Sequence, residues 1–229
     1  VVRFDRAVAS VSAESFVREW LLPIGVDTAI VGFDFAFGHR GAGNAEALER
    51  FGEGRIVVHT VEPVHGAEGK VSSTRIRERL AAGDTAAAAR MLGRPYVVKG
   101  EVVHGQARGR TIGFPTANVR PEQPYVIPRT GVYAITAHID GDASARYGGV
   151  LNVGFRPTFE APEGEPKLEA HLFDFGGDLY GRTLAITFRN YLRPERKFGS
   201  VDELVAQIRA DAVEARRRLA EASDDPTLY

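Results

Sequence analysis

Val132–Ile139 reads VYAITAHI. Tyr133, Ile135, Ala137 and Ile139 alternate with Val132, Ala134, Thr136 and His138, and a period of two belongs to extended chain, where successive side chains point to opposite faces. The pattern recurs downstream. In Lys167–Phe173, Leu168, Ala170 and Leu172 fall on one side, and Glu169, His171 and Phe173 on the other. Leu184, Ile186 and Phe188 repeat it before Asn190. Upstream, Val97–Val103 is rich in β-branched residues, which suit strands. Glycine and proline punctuate the gaps, so the stretch from Tyr96 to about Leu192 is expected to be a small barrel or sandwich of short strands. A helix closes the chain. Ser200-Val-Asp-Glu203 reads as a capping box, and Leu204, Ile208, Ala212, Ala215 and Leu219 form an apolar stripe at helical spacing. Arg216, Arg217 and Arg218 suit the negative end of that helix's dipole and read as a solvated helix end.

Before Pro95 the pattern differs. Ser12 is placed to cap a helix through SFVREWLL. Thr28–Phe33 (TAIVGF) and Arg55–Val61 (RIVVHTV) read as strands around a helical Asn44–Phe51. Ser72 or Ser73 opens a helix that ends at Gly83, and Asp84 caps another that stops at Gly93. Alternating strands and helices predict a parallel α/β sheet, although too few strands are visible for a complete domain of that type. The expected boundary divides the chain into 1–94 and 95–229.

With 229 residues the chain can bury a substantial core. A net charge of −1 supplies no electrostatic footprint for nucleic acid. The absence of cysteine excludes disulfides and cysteine-based zinc sites, and the six histidines show no metal-ligand spacing. No apolar run approaches a membrane span and no signal peptide opens the chain. A soluble, cytoplasmic protein with no nucleic-acid or membrane partner is expected.

The densest chemistry lies in Gly100–Asn118, GEVVHGQARGRTIGFPTAN. Glycines at 105, 109 and 113 let a backbone approach an anion closely, and Arg108 and Arg110 offer charge-assisted hydrogen bonds to phosphate. Beyond Pro115, Thr116 and Asn118 share a side if the segment is extended. Their hydroxyl and amide oxygens are hard ligands of the kind Mg²⁺ accepts beside nucleotide phosphates. Ser73, Thr74, Arg75 and Arg77 sit at a helix start, which is either an anion site or an ordinary cap. The neighbouring Gly66–Ser72 resembles a P-loop but carries Val71 where Ser or Thr should follow the lysine. Glu169 stands mid-strand among apolar residues, as a general base if its face lines a cleft and as a surface residue if it faces solvent. Asn152–Phe159 and Tyr191–Phe198 mix aromatic, polar and proline residues at strand ends. Phe159 and Phe198 serve either a flat heteroaromatic ligand or the core.

Taken together, these segments resemble riboflavin kinase. The matches run in order through GEVVHGQARGRTIGFPTAN, RTGVYA (129–134), LNVGFRPTF (151–159), LEAHLFDF (168–175), DLYGRTL (178–184), YLRPERKF (191–198) and the helix with SVDELVAQIRAD. They cover nearly all of residues 96–220. VGFDFAFG (31–38) and VSSTRIR (71–77) are similar to the nucleotidyltransferase half of the prokaryotic bifunctional riboflavin kinase/FMN adenylyltransferase, or FAD synthetase.

The resemblance implies a Rossmann-like α/β remnant followed by a six-stranded Greek-key barrel with a C-terminal helix. It implies that Thr116 and Asn118 help hold Mg²⁺ and ATP, and that the loop with Gly105, Arg108, Gly109, Arg110 and Gly113 covers the phosphates. Glu169 would take the proton from the ribityl 5′-hydroxyl, and Arg193 and Phe198 would bracket the flavin. Asp34, Ser73, Thr74 and Arg77 fall on nucleotide-handling positions. The family's His-x-Gly-His-type motif does not occur here, so the opening strand, helix and motif of the adenylyltransferase half are expected to be absent from this chain.

The expected activity is ATP-dependent phosphorylation of riboflavin to FMN, joined in the parent protein by adenylylation of FMN to FAD. The alternative is a FAD-forming nucleotidyltransferase whose barrel serves as a flavin-binding module. A non-catalytic flavin carrier is a third reading, against which Glu169, Thr116 and Asn118 argue.

Overall fold

The structure, a computed structural model, describes residues 2, 4–66, 69–105, 109, 112–156 and 165–223. It divides into two compact units, Val1–Val71 and Ser72–Tyr229. In the first, a short α1 (Arg6–Ala9) is followed by α2 (Ala13–Ser15), whose capping Ser12 hydroxyl accepts the Ser15 N–H. The same turn continues as a π-helix over Phe16–Leu21. Strand β1 (Thr28–Gly32) lies parallel to β2 (Val57–Val61). Between them runs α3 (Ala45–Phe51), capped by Asn44. A hairpin of β3 (His65–Gly66) and β4 (Gly69–Lys70) comes next. Val17, Phe37, Leu48 and Ile56 form this unit's core, while Ile30, Val57 and Val61 stay exposed.

The second unit begins with α4 (Ser73–Ala82), capped by Ser72, and α5 (Thr85–Leu92), capped by Asp84. Gly83 ends α4 at φ +82°, a left-handed conformation that favours glycine. The sequence pattern changes at Pro95, but these two helices group with the strands beyond that proline. The Leu80 carbonyl accepts the Arg129 N–H at 2.9 Å, and the Thr85 hydroxyl donates to the Arg189 carbonyl at 2.7 Å.

Six strands then form a closed barrel: β5 (Val97–Val103), β6 (Ala117–Pro121), β7 (Gly131–Ile139), β8 (Asp142–Arg156), β9 (Glu165–Leu172) and β10 (Thr183–Arg193). Every pairing is antiparallel, in the order β10-β5-β6-β9-β8-β7, and β10 closes on β7. Three consecutive strands, β7 to β9, with β10 returning beside β7, make a Greek key.

The alternation read from VYAITAHI is the inward face. Tyr133, Ile135, Ala137 and Ile139 meet Leu168, Ala170, Leu184, Ile186 and Phe188 in the interior. Tyr133 donates its hydroxyl to the Arg129 carbonyl at 2.6 Å, and burial raises its phenol well above the ordinary tyrosine value. The outward residues Val132 and Ala134 are buried too. Helix α6 (Val201–Ser223) lies across β7, β8 and β10 and covers them with Ala212, Ala215 and Leu219.

Two details of α6 differ from the sequence reading. Ser200 caps the Glu203 N–H at 3.2 Å, but the Glu203 carboxylate accepts from Gly199, one residue before the cap. The helix also runs on to Ser223, so its arginines lie before its last turn. Arg217 and Arg218 pair with Glu214, whose carboxyl they lower to about 2. Arg216 pairs with Asp174 over the Phe173 ring. They form a paired outer face in place of a dipole cap. Arg108, Arg110, Phe159 and the tail from Asp224 lie outside the described residues.

Candidate active site

The site is built from strand register. Asn118 of β6 pairs with Glu169 of β9, Glu169 with Asn152 of β8, Asn152 with Val132 of β7, and Val132 with Arg193 of β10. Directly opposed residues on neighbouring strands point to the same face. The flanking residues Ala117, Leu168, Ala170, Leu151 and Tyr133 fill the interior, so this rung lies on the outside of the barrel. Glu169 therefore stands between two amides, with the Lys167 ammonium 2.7 Å from its carboxylate.

A cavity of about 270 Å³ opens over the rung, lined by Glu169, Asn152, Arg193, Phe198, Leu204 and Ile208 among others. Leu204 and Ile208 belong to the apolar stripe of α6. Its later residues cover the barrel, and these first two face the cavity. An apolar pocket with a few convergent polar groups suits a flat organic ligand. Arg193 is held in place. Its Nε and Nη2 donate to the Asp211 carboxylate at 2.7–3.1 Å, and its Nη1 donates to the Pro194 carbonyl at 2.9 Å. Gln207 donates to the same carboxylate at 2.8 Å. The guanidinium carbon lies 5.9 Å from the centre of the Phe198 ring, and that of Arg196 lies 4.6 Å from it. Asn152 donates to Glu195 at 3.1 Å, which ties the 194–199 loop to the rung.

A second cavity of about 560 Å³ is lined by Pro115, Thr116, Ala117, Leu172, Phe175 and Tyr180 among others. Thr116 lines both cavities and so forms part of the wall between them. Asn118 lines a neighbouring cavity of about 420 Å³ with Val103 and Lys167.

The glycines of the preceding loop are used in two ways. A Cβ on Gly105 would sit 2.1 Å from the Asn118 amide nitrogen. One on Gly109 would sit 2.2 Å from the Phe114 carbonyl oxygen and 3.2 Å from the Thr116 hydroxyl. Both positions allow this close approach only because they carry no side chain. Gly113 has open space around it and is needed for its φ of +82°.

The structure thus gathers Gly109, Thr116, Glu169, Arg193 and Phe198 around one cavity, with Gly105 and Asn118 beside it. Asp34 belongs to the first unit, exposed and paired with Lys70 at 3.0 Å. Ser73, Thr74 and Arg77 lie exposed in the first two turns of α4 in the second. Sequence reasoning placed Asn152 at the head of a candidate segment without giving it a role, and missed Asp211. Asn152 was marked by its place between inward Leu151 and Val153, and Asp211 by a lone acid beside the apolar stripe of α6.

The riboflavin kinase family model matches residues 92–219, more than half of the chain. The chain belongs to the riboflavin kinase family. A FAD synthetase model matches residues 1–75. The bifunctional riboflavin kinase/FMN adenylyltransferase of Bacillus subtilis (strain 168) is 41% identical over 219 residues, 95% of this chain and 68% of that protein. The Escherichia coli (strain K12) protein of the same name is 40% identical over 218 residues, 94% and 68%. A crystal structure described as a macrolide-efflux protein from Streptococcus pneumoniae superposes with a TM-score of 0.78 at 37% identity, covering 93% of this chain and 67% of that one. Among the described residues of this chain, no helix is long and apolar enough to cross a membrane.

Proposed function

We infer that the chain phosphorylates riboflavin with ATP to give FMN, and that with its FAD synthetase segment it belongs to an enzyme that also adenylylates FMN to FAD. The observation that carries the kinase reading is Glu169 on a rung beside Thr116, which lines two cavities. One cavity is apolar and suited to a flavin ring held by Phe198 and Arg193. The other is larger and suited to the nucleotide.

In this reading the ribityl 5′-hydroxyl gives its proton to Glu169 as its oxygen bonds to the γ-phosphorus. The bond from that phosphorus to the β–γ bridging oxygen breaks, and ADP leaves. Phosphoryl transfer needs positioning and charge neutralisation more than covalent help. The glycine loop offers backbone that approaches closely, and Arg108 and Arg110 are assigned to the phosphates with Gly105, Gly109 and Gly113.

The residues also fit Mg²⁺. Thr116 and Asn118 supply hard oxygens, and no group of three or more His, Cys, Asp or Glu able to hold a metal occurs among the described residues. Mg²⁺ commonly takes few protein ligands and completes its shell with phosphates and water. When bound, it would neutralise charge on the transferring phosphates. Asp34, Ser73, Thr74 and Arg77 are assigned to nucleotide handling in the adenylyl transfer. An ATP-dependent reaction of this kind suits the cytoplasm.

Glu169→Gln tests the assignment of the base. The amide keeps the shape but cannot accept a proton at neutral pH. Riboflavin binding, followed by flavin fluorescence, is expected to persist while turnover falls by about 10²–10⁴-fold. Near-normal turnover would make Glu169 a surface residue.

A further inference from the structure

His171 lies two residues beyond Glu169 on the same face of β9 and lines the smaller cavity. Its ring packs edge-on against Phe114 at 5.5 Å and Phe173 at 6.0 Å between centroids. Its Nδ1 is 2.8 Å from the carbonyl oxygen of Pro115. A carbonyl only accepts, so Nδ1 carries the proton and the tautomer is defined.

The register explains what this contact replaces. Asn118 faces Glu169 and Ala117 faces Ala170, so the next pair in an antiparallel ladder would be Thr116 with His171. The ladder stops at Ala117. Pro115 has no N–H, and its ring fixes φ. The His171 side chain supplies a tether to the backbone carbonyl immediately before Thr116, where regular strand pairing has ended.

We propose that His171 is a positioning residue for MgATP, holding Thr116 in place through the Pro115 carbonyl. The inference rests on the reading of Thr116 as a residue that helps hold Mg²⁺ and ATP. Partners that orient such groups from behind commonly matter by about 10–100-fold in affinity or activity.

The test uses the full chain with MgADP as the probe, titrated by calorimetry, and kcat and KM for MgATP alongside. His171→Phe keeps the aromatic packing and removes the donor. It is expected to weaken MgADP by about 10–100-fold while the protein stays folded. His171→Asn, whose amide can donate from nearly the same position, is expected to recover most of that loss. The double variant Thr116→Ala/His171→Phe should bind no worse than Thr116→Ala, because residues acting through one another are not additive. In the unmodified protein, ¹⁵N shifts of the His171 ring should show Nδ1 protonated.

Full MgADP affinity in a folded His171→Phe protein, additive losses in the double variant, or a ring protonated only at Nε2 would overturn the proposal. If the Phe variant does not fold, the Asn variant decides, and a tenfold loss in a folded Asn protein overturns it. A Thr116→Ala protein with unchanged MgADP affinity would overturn the reading of Thr116, and the tether with it. A sensitive Thr116 with an insensitive His171 would overturn the tether alone.

Discussion

Thr116 has a cavity on either side and a glycine 3.2 Å from its hydroxyl, measured to the Cβ that Gly109 lacks. Asn118 is packed still more closely by Gly105. Neither residue belongs to the barrel core. Thr116→Ala and Asn118→Ala are therefore expected to lower turnover and raise the Mg²⁺ requirement while leaving the melting temperature within a few degrees. A large thermal loss with unchanged turnover would make them turn residues. Gly105→Ala should act through Asn118, since its Cβ would fall 2.1 Å from the amide. Its kinetic defect should therefore resemble that of Asn118→Ala, which steady-state kinetics on both variants would check. Inward residues were legible in the sequence because the barrel interior imposes a strict period of two. Asn152 was harder to see, since its meeting with Glu169 depends on the register between β8 and β9, which no local pattern encodes.

At the scale of elements, α6 does two jobs. Its middle covers the barrel, and its first turns wall the smaller cavity. The Arg193–Asp211 pair links this helix to the end of β10 with both groups largely out of water. Removing one partner leaves the other charge buried and uncompensated, a loss of about 3–5 kcal/mol in comparable pairs. Asp211→Ala should lower unfolding stability by that order and weaken riboflavin binding, because Arg193, which lines the smaller cavity, loses the carboxylate that holds it. Urea denaturation and flavin titration would check both. Unchanged stability would mean that water or Gln207 replaces the carboxylate without cost. The helix itself was legible from its stripe and cap. The use of Leu204 and Ile208 as cavity wall was not, because an apolar stripe looks the same whether it meets a core or a ligand.

For the whole molecule, barrel closure brings β10 back to β7, and Asp140 marks that junction. Its carboxylate accepts from Arg182 at 2.7 Å and from the Thr183 N–H at 2.8 Å, and these bonds hold its carboxyl below the usual range. A carboxyl lowered in the folded state stabilises above its unfolded value of about 4 and loses that contribution as pH falls through the folded one. Asp140→Asn should therefore melt slightly lower than the parent at pH 7, and the gap should narrow as pH drops below about 4. The effect is small because the group is exposed. A gap that does not change with pH would assign the loss to geometry and not to charge.

Four of the six barrel strands and the closing helix were readable from strand patterning and capping, and the count of six came from the resemblance. Alternation alone left barrel and sandwich open, and the resemblance supplied the barrel. The grouping of α4 and α5 with it was not legible, because it depends on long-range contacts such as Leu80 with Arg129 and Thr85 with Arg189. Phosphoryl transfer can be followed by incubating the folded chain with riboflavin, Mg²⁺ and ATP labelled in the γ-phosphate, then separating the flavins. The expected result is FMN carrying the label, one ADP for each FMN, and no such product from Glu169→Gln on the same timescale. A folded sample that binds both substrates and forms no labelled FMN would contradict it.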